Sequence, residues 1–375
     1  MDTPAENLRC WAEIDLSAIR HNASVAARLA GPGAGVMAIV KANAYGHGLE
    51  EVVGALRDGV AMFGVANLHE AQAVRAALAD DKPGVFILGP ALPGERAAIV
   101  EGGFVPAVST LEEAAAYAGL AALGRGRRVP AHLAIDTGMG RIGIEQEEAI
   151  AVVREIMRLP GLEIAGVATH LPVADEDEEF TREQLGRFDR LVASLRGIGL
   201  EAPIVHALNS AGLLRRAGHA GTLARAGLML YGSSPVPECQ AELRPALALK
   251  TRVTIIRDLP AGHGVSYGRT YITPHPMRVA TLAIGYADGY QRHLSNRGAD
   301  VLIHGRRCPV LGRVTMDQIM ADVSHVPGTA IGDEAVLIGS QGNEEILAAE
   351  LAAKSGTIAW EIFTSIGPRV ERLYR

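Results

Sequence analysis

Eight times along the first two thirds of the chain, a short run of small and β-branched apolar residues is followed by a longer amphipathic or polar stretch. The runs are VMAIV at Val36, MFGVA at Met62, GVFIL at Gly84, FVPAV at Phe104, AHLAI at Ala131, IAGVAT at Ile164, IVHAL at Ile204 and ARAGLML at Ala224. None alternates apolar with polar residues as a half-exposed strand does, so each reads as a strand buried on both faces. The stretches between carry capping residues, such as Ser109-Thr110-Leu-Glu-Glu and Thr181-Arg-Glu-Gln, and so read as helices. Eight such units suit a closed (β/α)8 barrel better than an open doubly wound sheet. Ahead of them stand a strand-like CWAEI and a segment, LSAIRHNASVAARLA, that Asp15 can cap as a helix and Gly-Pro-Gly ends.

At 375 residues the chain is too long for one core. From about Leu243 the pattern changes to short alternating strands separated by Gly, Pro and Asp turns, with one helix at EEILAAELAAK. The expected organisation is a barrel over 1–240 and a mostly-β domain over 241–375, with the first ~14 residues candidates to pack with the β domain. The formal charge of -6 comes from acids and bases mixed along the whole length, which argues against nucleic acid or anionic membrane as a partner. A small-molecule ligand is the remaining class. Cys10, Cys239 and Cys308 show neither paired nor metal-like spacing, the opening MDTPAENLRC lacks a signal-peptide pattern, and no apolar run is long enough for a bilayer. The expectation is a soluble cytoplasmic protein without a metal.

Only four lysines occur, and Lys41 alone ends a core strand. Lys82 lies in a polar turn, Lys250 in an alternating strand, and Lys354 near a helix end where cations are favoured. A partly desolvated ammonium loses its proton more readily and becomes a nucleophile toward a carbonyl, which makes Lys41 a Schiff-base candidate. A lysine snorkelling out from a strand end satisfies the same position, so the residue by itself leaves both readings open.

In a (β/α)8 barrel the active site lies at the C-terminal ends of the strands. The residues there are Lys41 and Tyr45 after the first run, Asp136 to Arg141 (DTGMGR) after the fifth, His170 after the sixth, Asn209 and Ser210 after the seventh, and Arg225 and Gly227 in the eighth. Each has a structural alternative; Asn209 and Ser210, for instance, can simply cap the helix that follows. Ser210 and the amides near Gly227 and Leu228 fall in the last two strand-end regions, where barrels commonly bind phosphate. Two pattern matches compete with this reading. GMGRIG (Gly138 to Gly143) fits a dinucleotide loop, but the next strand ends in Thr169-His170 instead of an acid. GVSYG (Gly264 to Gly268) fits a serine-hydrolase elbow, but RTYITPHPM after it reads as strand and turn, not helix.

VKANAYGHG around Lys41, IDTGMGRIG around Arg141, NSAG at Asn209, RAGLMLYG at Arg225, VSYG at Tyr267, IGYADGY at Tyr286 and RVTMDQ at Met316 closely resemble alanine racemases, in order and across both domains. The resemblance implies a (β/α)8 barrel carrying pyridoxal phosphate, a C-terminal β domain, and a homodimer in which each site is completed by the partner's β domain. It implies that L- and D-alanine are interconverted, for cell-wall synthesis. Lys41 would hold the cofactor and act as one base, with Tyr267 of the partner subunit as the other. Tyr45, Ser210, Gly227 and Leu228 would hold the phosphate, Asn209 would lie at the cofactor, and Arg141 and the Met316 backbone would hold the substrate carboxylate. Arg225 would face the pyridine nitrogen and His170 the ring. Racemisation needs a proton donor on each face of Cα, so two opposed bases are chemically natural. A phenol with an ordinary pKa of about 10 is a poor base, so Tyr267 needs a polarising neighbour, which His170 with Arg225 can provide.

The chain departs from the resembling enzymes at two positions. Pro368 stands where they often have a tyrosine, and Ala134 where they often have a carbamylated lysine. The first puts one phosphate contact and substrate selectivity toward serine in question; the second, the charge facing Arg141. Among rival functions, a barrel decarboxylase of basic amino acids would carry a glycine-rich phosphate loop that is not found here. A non-catalytic pyridoxal-phosphate carrier resembles the barrel alone.

Overall fold

The computed structural model describes residues 7–79, 82–123, 128–215 and 221–375. They form two compact units: one of residues 19–44 and 49–244, the other of residues up to Ala18, Tyr45–Gly48 and Pro245–Arg375.

The first strand, β1 (Cys10–Ile14), belongs to the second of these. After it comes the helix Leu16–Ala30, started by Asp15, whose carboxylate accepts from the Ser17 and Ala18 amides at 2.8 and 2.9 Å. In the first unit, β2 (Gly35–Ile39), β3 (Met62–Val65), β4 (Gly84–Ile87), β5 (Val105–Val108), β6 (Val129–Asp136), β8 (Leu162–Ala168), β9 (Ile204–His206) and β10 (Leu223–Ala226) are parallel, in the order β10-β2-β3-β4-β5-β6-β8-β9. A two-residue β7 (Ile144–Glu145) pairs beside β6. The seam between β9 and β10 is joined by single bonds, Thr222 N–H to Val205 O at 3.0 Å and Arg225 N–H to Leu208 O at 3.0 Å. The eight sequence runs are thus the eight strands of a nearly closed parallel barrel. Their β-branched side chains fill it because both faces are covered.

Of the capping signals read in the sequence, Asp15 and the Ser109-Thr110 pair start helices as expected and Thr181 does not. Thr110 accepts from Glu113 N–H while the Glu113 carboxylate accepts from Ser109 N–H, a reciprocal cap. Thr181, expected to open a helix, instead lies inside the helix Glu178–Gly197, which Asp177 caps by accepting from Phe180 N–H at 2.9 Å. Thr181 spends its hydroxyl on the Asp177 carbonyl four residues back, the habit of a threonine within a helix.

The second unit is mostly β. Its strands are β11 (Leu247–Leu259), β12 (Gly264–Val265), β13 (Tyr271–Ile272), β14 (Met277–Leu282), β15 (Asp300–Ile303), β16 (Arg306–Leu311), β17 (Ile319–Asp322), β18 (Glu334–Gln341), β19 (Glu344–Ile346) and β20 (Glu371–Tyr374). One sheet runs β19-β18-β15-β16-β17-β14-β11-β1-β20. The 13-residue β11 is its spine, pairing with β1, β14 and β18, and its alternating burial matches the alternating sequence. Lys250 on β11 pairs with Glu13 and Glu334 at 3.0 and 3.2 Å, and Lys354 with Glu350 and Asp300 at 2.9 and 3.3 Å. Among the described residues, no helix is long and apolar enough to cross a membrane.

Candidate active site

The chain leaves β2 through a left-handed turn. Ala42, Asn43, Ala44 and Tyr45 all have φ of 53° or 54°, a conformation costing roughly 1–2 kcal/mol for each non-glycine residue. Such strain persists only where surrounding bonds over-determine it. Ala44 N–H reaches Val40 O at 2.8 Å, the Asn43 side chain accepts from Leu49 N–H at 2.9 Å, and Glu70 accepts from Ala42 N–H at 2.8 Å. Lys41 sits at the head of this turn. Burial and the Arg141 guanidinium push its ammonium below the ordinary lysine pKa, with Glu70 pulling the other way. A lysine at that place is a better nucleophile than one in water.

Arg225, buried on β10, organises the barrel mouth. Its Nη1 donates to His206 Nδ1 at 2.8 Å and to the His206 carbonyl at 3.0 Å. Its Nη2 donates to the carbonyls of Thr169 and Ala207 at 2.8 and 2.9 Å and to His170 Nδ1 at 3.0 Å. Arginine has only donors, so both histidines must present a bare Nδ1 and carry their proton on Nε2. His206 then donates from Nε2 to His132 Nδ1 at 2.9 Å, which places the His132 proton on Nε2 as well. Burial first, then the Arg225 charge, holds all three rings neutral: His132 is pushed down to about 4, His170 to about 3, and His206 well below its usual value. Burial, then Arg141, also lowers Arg225, to about 10. Among the described residues no acceptor takes the Arg225 Nε–H, so that donor is left for a ligand in the cavity that Arg225 lines.

Ser210 and the turn after β10 make a second donor set. The Ser210 hydroxyl oxygen accepts from Gly227 N–H at 2.9 Å and Met229 N–H at 3.4 Å. Among the described residues neither the Ser210 O–H nor the Leu228 N–H has a protein acceptor, an arrangement suited to an anion. Asn209 is committed otherwise: its oxygen accepts from Gly212 N–H and its nitrogen donates to the Leu171 carbonyl. It shapes the turn that presents Ser210.

Beyond β6, the DTGMGR segment wraps around Asp136. Burial opposes the charge of that carboxylate, but the amides of Gly138, Met139, Gly140 and Arg141 outweigh it and hold its pKa below the ordinary aspartate value. Gly143, at φ 121°, passes so close that a Cβ there would lie 2.6 Å from the Asp136 nitrogen. The loop leads into β7 instead of a helix, so GMGRIG is not a dinucleotide loop. Arg141 lines an open cavity whose walls include Phe86, Leu88, Ala107, Ala134, His170 and Arg225. Among the described residues it has no carboxylate partner.

The second unit holds the other expected site residues. Tyr267 opens a single turn of 3-10 helix between β12 and β13 and is 72% exposed; Met316 is 52% exposed. Ser266 donates its hydroxyl to the Arg313 carbonyl at 2.6 Å, and the single 3-10 turn after it runs into β13 with no α-helix, which excludes a hydrolase elbow. The IGYADGY loop rests against Met316: Tyr286 and Ala287 donate to the carbonyls of Thr315 and Met316 at 3.0 and 3.1 Å, and a Cβ on Gly285 would lie 2.3 Å from the Met316 oxygen. Arg369, next to Pro368, ties the two segments together through Asp288 at 3.2 Å and Asp317 at 2.8 Å. Tyr45 is buried, and burial pushes its hydroxyl up to about 12. The Tyr45–Gly48 stretch is held by Arg372, which donates to the Gly46 carbonyl at 3.1 Å and to those of Ile366, Gly367 and Val370.

Lys41, Arg141, His170, Asn209, Ser210, Arg225, Gly227 and Leu228 therefore belong to the barrel unit, and Tyr45, Tyr267, Met316 and Pro368 to the other. Sequence reasoning missed His132, His206 and Glu70. The histidines had a signal, since each interrupts a core strand, AHLAI and IVHAL, with a titratable ring. Glu70 had none, because an acid in the first turn of a helix is ordinary.

Residues 14–235 match the family model for the alanine racemase N-terminal domain, and residues 246–374 that for the alanine racemase C-terminal domain. An alanine racemase of Carboxydothermus hydrogenoformans is 45% identical over 370 residues, covering 97% of this chain and 99% of that protein. Among solved structures, the alanine racemase of D-cycloserine-producing Streptomyces lavendulae superposes with a TM-score of 0.92 at 34% identity, covering 100% of this chain and 98% of that one. The alanine racemase of Bartonella henselae with covalently bound pyridoxal phosphate gives 0.89 at 28% identity, covering 98% and 100%.

Proposed function

The chain belongs to the alanine racemase family, and from that premise we propose that it interconverts L- and D-alanine with pyridoxal phosphate, using Lys41 and Tyr267 of the partner subunit as opposed bases. The observation that carries this reading is the disposition of donors in the barrel. A strand-end lysine with a lowered pKa, a guanidinium with only Nε–H uncommitted, and a serine hydroxyl and backbone amide without acceptors fit an aldehyde, a pyridine nitrogen and a phosphate. When bound, pyridoxal phosphate supplies an electron-withdrawing ring that acidifies the Cα–H of an amino acid.

The residues divide the work accordingly. Lys41 binds the cofactor and, once freed by substrate, moves a proton at Cα on one face, while Tyr267 moves it on the other. Arg225 would hold the pyridine nitrogen through Nε–H without surrendering its proton, and would thereby supply a weaker electron sink than a carboxylic acid partner. Prompt reprotonation at Cα is then favoured over diversion to other products. His170, fixed as an Nε2–H donor by Arg225, offers that hydrogen bond toward the phenol oxygen of the partner subunit's Tyr267. Tyr45, Ser210, Gly227 and Leu228 hold the phosphate, with Asn209 setting the Ser210 turn. Arg141 and the Met316 backbone hold the substrate carboxylate. The working form is a cytoplasmic homodimer, and its product serves peptidoglycan synthesis.

Lys41→Ala tests the core of the reading: the purified variant lacks the absorbance of protein-bound pyridoxal phosphate and has no racemase activity in a chiral assay with L-alanine. A borohydride-trapped adduct on Lys82, Lys250 or Lys354 in the parent protein overturns it.

A further inference from the structure

The Glu70 carboxylate spends one oxygen on Ala42 N–H at 2.8 Å and the other on Ala66 N–H at 2.7 Å. Those amides follow the C-terminal ends of two neighbouring barrel strands, β2 and β3, whose backbones also meet through Val40 N–H and the Gly64 carbonyl at 2.9 Å. Glu70 itself is anchored in the first turn of the helix Leu68–Leu78, where its own amide donates to the Asn67 cap at 3.0 Å. One rigid helix end therefore grips both strand ends at the point where the left-handed turn begins. Among the described residues Glu70 is the protein acceptor of Ala42 N–H, so it is what ties this strained turn back to the barrel.

We propose that Glu70 is a positioning residue for the reaction, clamping the backbone on the far side of Lys41 and supplying the negative charge that balances the cations around its amine. This rests on the reading of Lys41 as the cofactor-bearing base. The charged groups acting on Lys41 are Arg141 from the loop after β6 and Glu70 from its helix, while Lys41 in turn bears on His170 after β8. Arg141 is needed for the substrate carboxylate, so the site carries an unavoidable cation beside the amine. Glu70 is the opposing charge, and it has no contact with substrate or cofactor in this scheme. A purely structural clamp would leave the protonation of Lys41 untouched, which separates the two roles.

Glu70→Gln removes the charge and keeps an oxygen for one amide; Glu70→Asp keeps the charge but is a methylene too short to serve both amides. The pH at which the Lys41–cofactor linkage loses its proton is read from the absorbance of the holoenzyme, together with kcat, KM and Tm. In Glu70→Gln that midpoint moves to lower pH, because loss of a negative charge destabilises the protonated form. In Glu70→Asp the midpoint stays nearer the parent's while kcat falls on the order of tenfold with little change in KM, as expected of a misplaced base. A Glu70→Gln enzyme whose absorbance titration and kcat match the parent's, or one that loses Tm alone, overturns the proposal. Borohydride fixing of the cofactor to a lysine other than Lys41 in the parent overturns the underlying reading instead, and peptide mapping tells the two failures apart.

Discussion

Acid should destabilise this protein through the three histidines linked to Arg225, and replacing His132, the far end of that chain, should remove a countable part of the effect. In the folded state burial and Arg225 hold His132 at about 4, His170 at about 3 and His206 well below its ordinary value. In the unfolded chain an imidazole titrates at about 6.5. Above that pH both states are neutral and the rings contribute no pH dependence. As pH falls through about 6.5 the unfolded state takes up protons that the folded state refuses, so stability is lost, and the loss continues down toward the folded values. Each histidine then contributes a slope of about 1.4 kcal/mol per pH unit, and the three together about 4 kcal/mol per unit near pH 5. His132→Asn keeps an oxygen to accept the His206 Nε2–H but cannot titrate. The unfolding midpoint in guanidinium, followed between pH 7 and pH 5 at one protein concentration and saturating pyridoxal phosphate, should show a slope shallower by about one proton, roughly 1.4 kcal/mol per unit. A general stability loss at pH 7 from the smaller side chain is expected and does not bear on the slope. Equal slopes for parent and variant would refute both the neutral state of His132 and the proton assignment drawn from Arg225.

Two further outcomes concern catalysis and selectivity. Tyr267→Phe should retain the bound-cofactor absorbance yet lose catalysis preferentially in one direction, since only one of two bases is gone. Mixed with Lys41→Ala subunits it should recover activity, and no recovery despite proven subunit exchange would argue against shared sites. Pro368 has no hydroxyl for a phosphate and less bulk than tyrosine. Pro368→Tyr should therefore slow cofactor loss and raise the alanine-to-serine ratio in kcat/KM, and constancy of both would remove Pro368 from consideration.

The barrel was legible because its strands are buried on both faces, so VMAIV or GVFIL could be read without knowing any partner. Lys41 was legible for the same reason: a charge at the end of such a strand demands an explanation. What could not be read was whatever depends on pairing between distant elements. The proton positions on His132, His170 and His206 follow from one arginine on another strand. Thr181 misled because a helix start is decided by which acceptor is nearest, and Asp177 lies four residues earlier with a carboxylate already aimed at Phe180 N–H. The Asn-Ala-Tyr-Gly-His-Gly segment after Lys41 reads as a turn, and Asn43 is at home in a left-handed conformation, but that Ala42, Ala44 and Tyr45 share it had no local sign, because Glu70, Asn43 and Val40 impose it.

Ala134 sets the last prediction. It pairs with Ala168 between β6 and β8 and lines the same cavity as Arg141. A carbamylated lysine at this position would put a negative charge beside the arginine that binds the substrate carboxylate, orienting its planar fork. Alanine supplies neither charge nor hydrogen bond. Of the sources that could replace it, an acidic side chain is not supported, because among the described residues no carboxylate pairs with Arg141. Arg141 is itself exposed, and the cavity it lines carries Thr169 and His170 as well as Phe86, Leu88 and Ala107, so water can solvate the guanidinium and competes with any anion for that place. That leaves two cases, a guanidinium simply solvated by water and one oriented by a small mobile anion, and the response to chloride separates them. Stripping bicarbonate should leave activity unchanged, since Ala134 has no amine to carbamylate. Exchanging chloride for gluconate at constant ionic strength should raise the KM for alanine by several-fold if an anion orients Arg141, because the cost falls on carboxylate binding and not on proton transfer. Ala134→Asp, which builds the charge into the wall, should abolish that chloride response. An unmodified enzyme whose activity depends on bicarbonate would refute the argument, and a chloride response that survives in Ala134→Asp would move the anion away from Arg141.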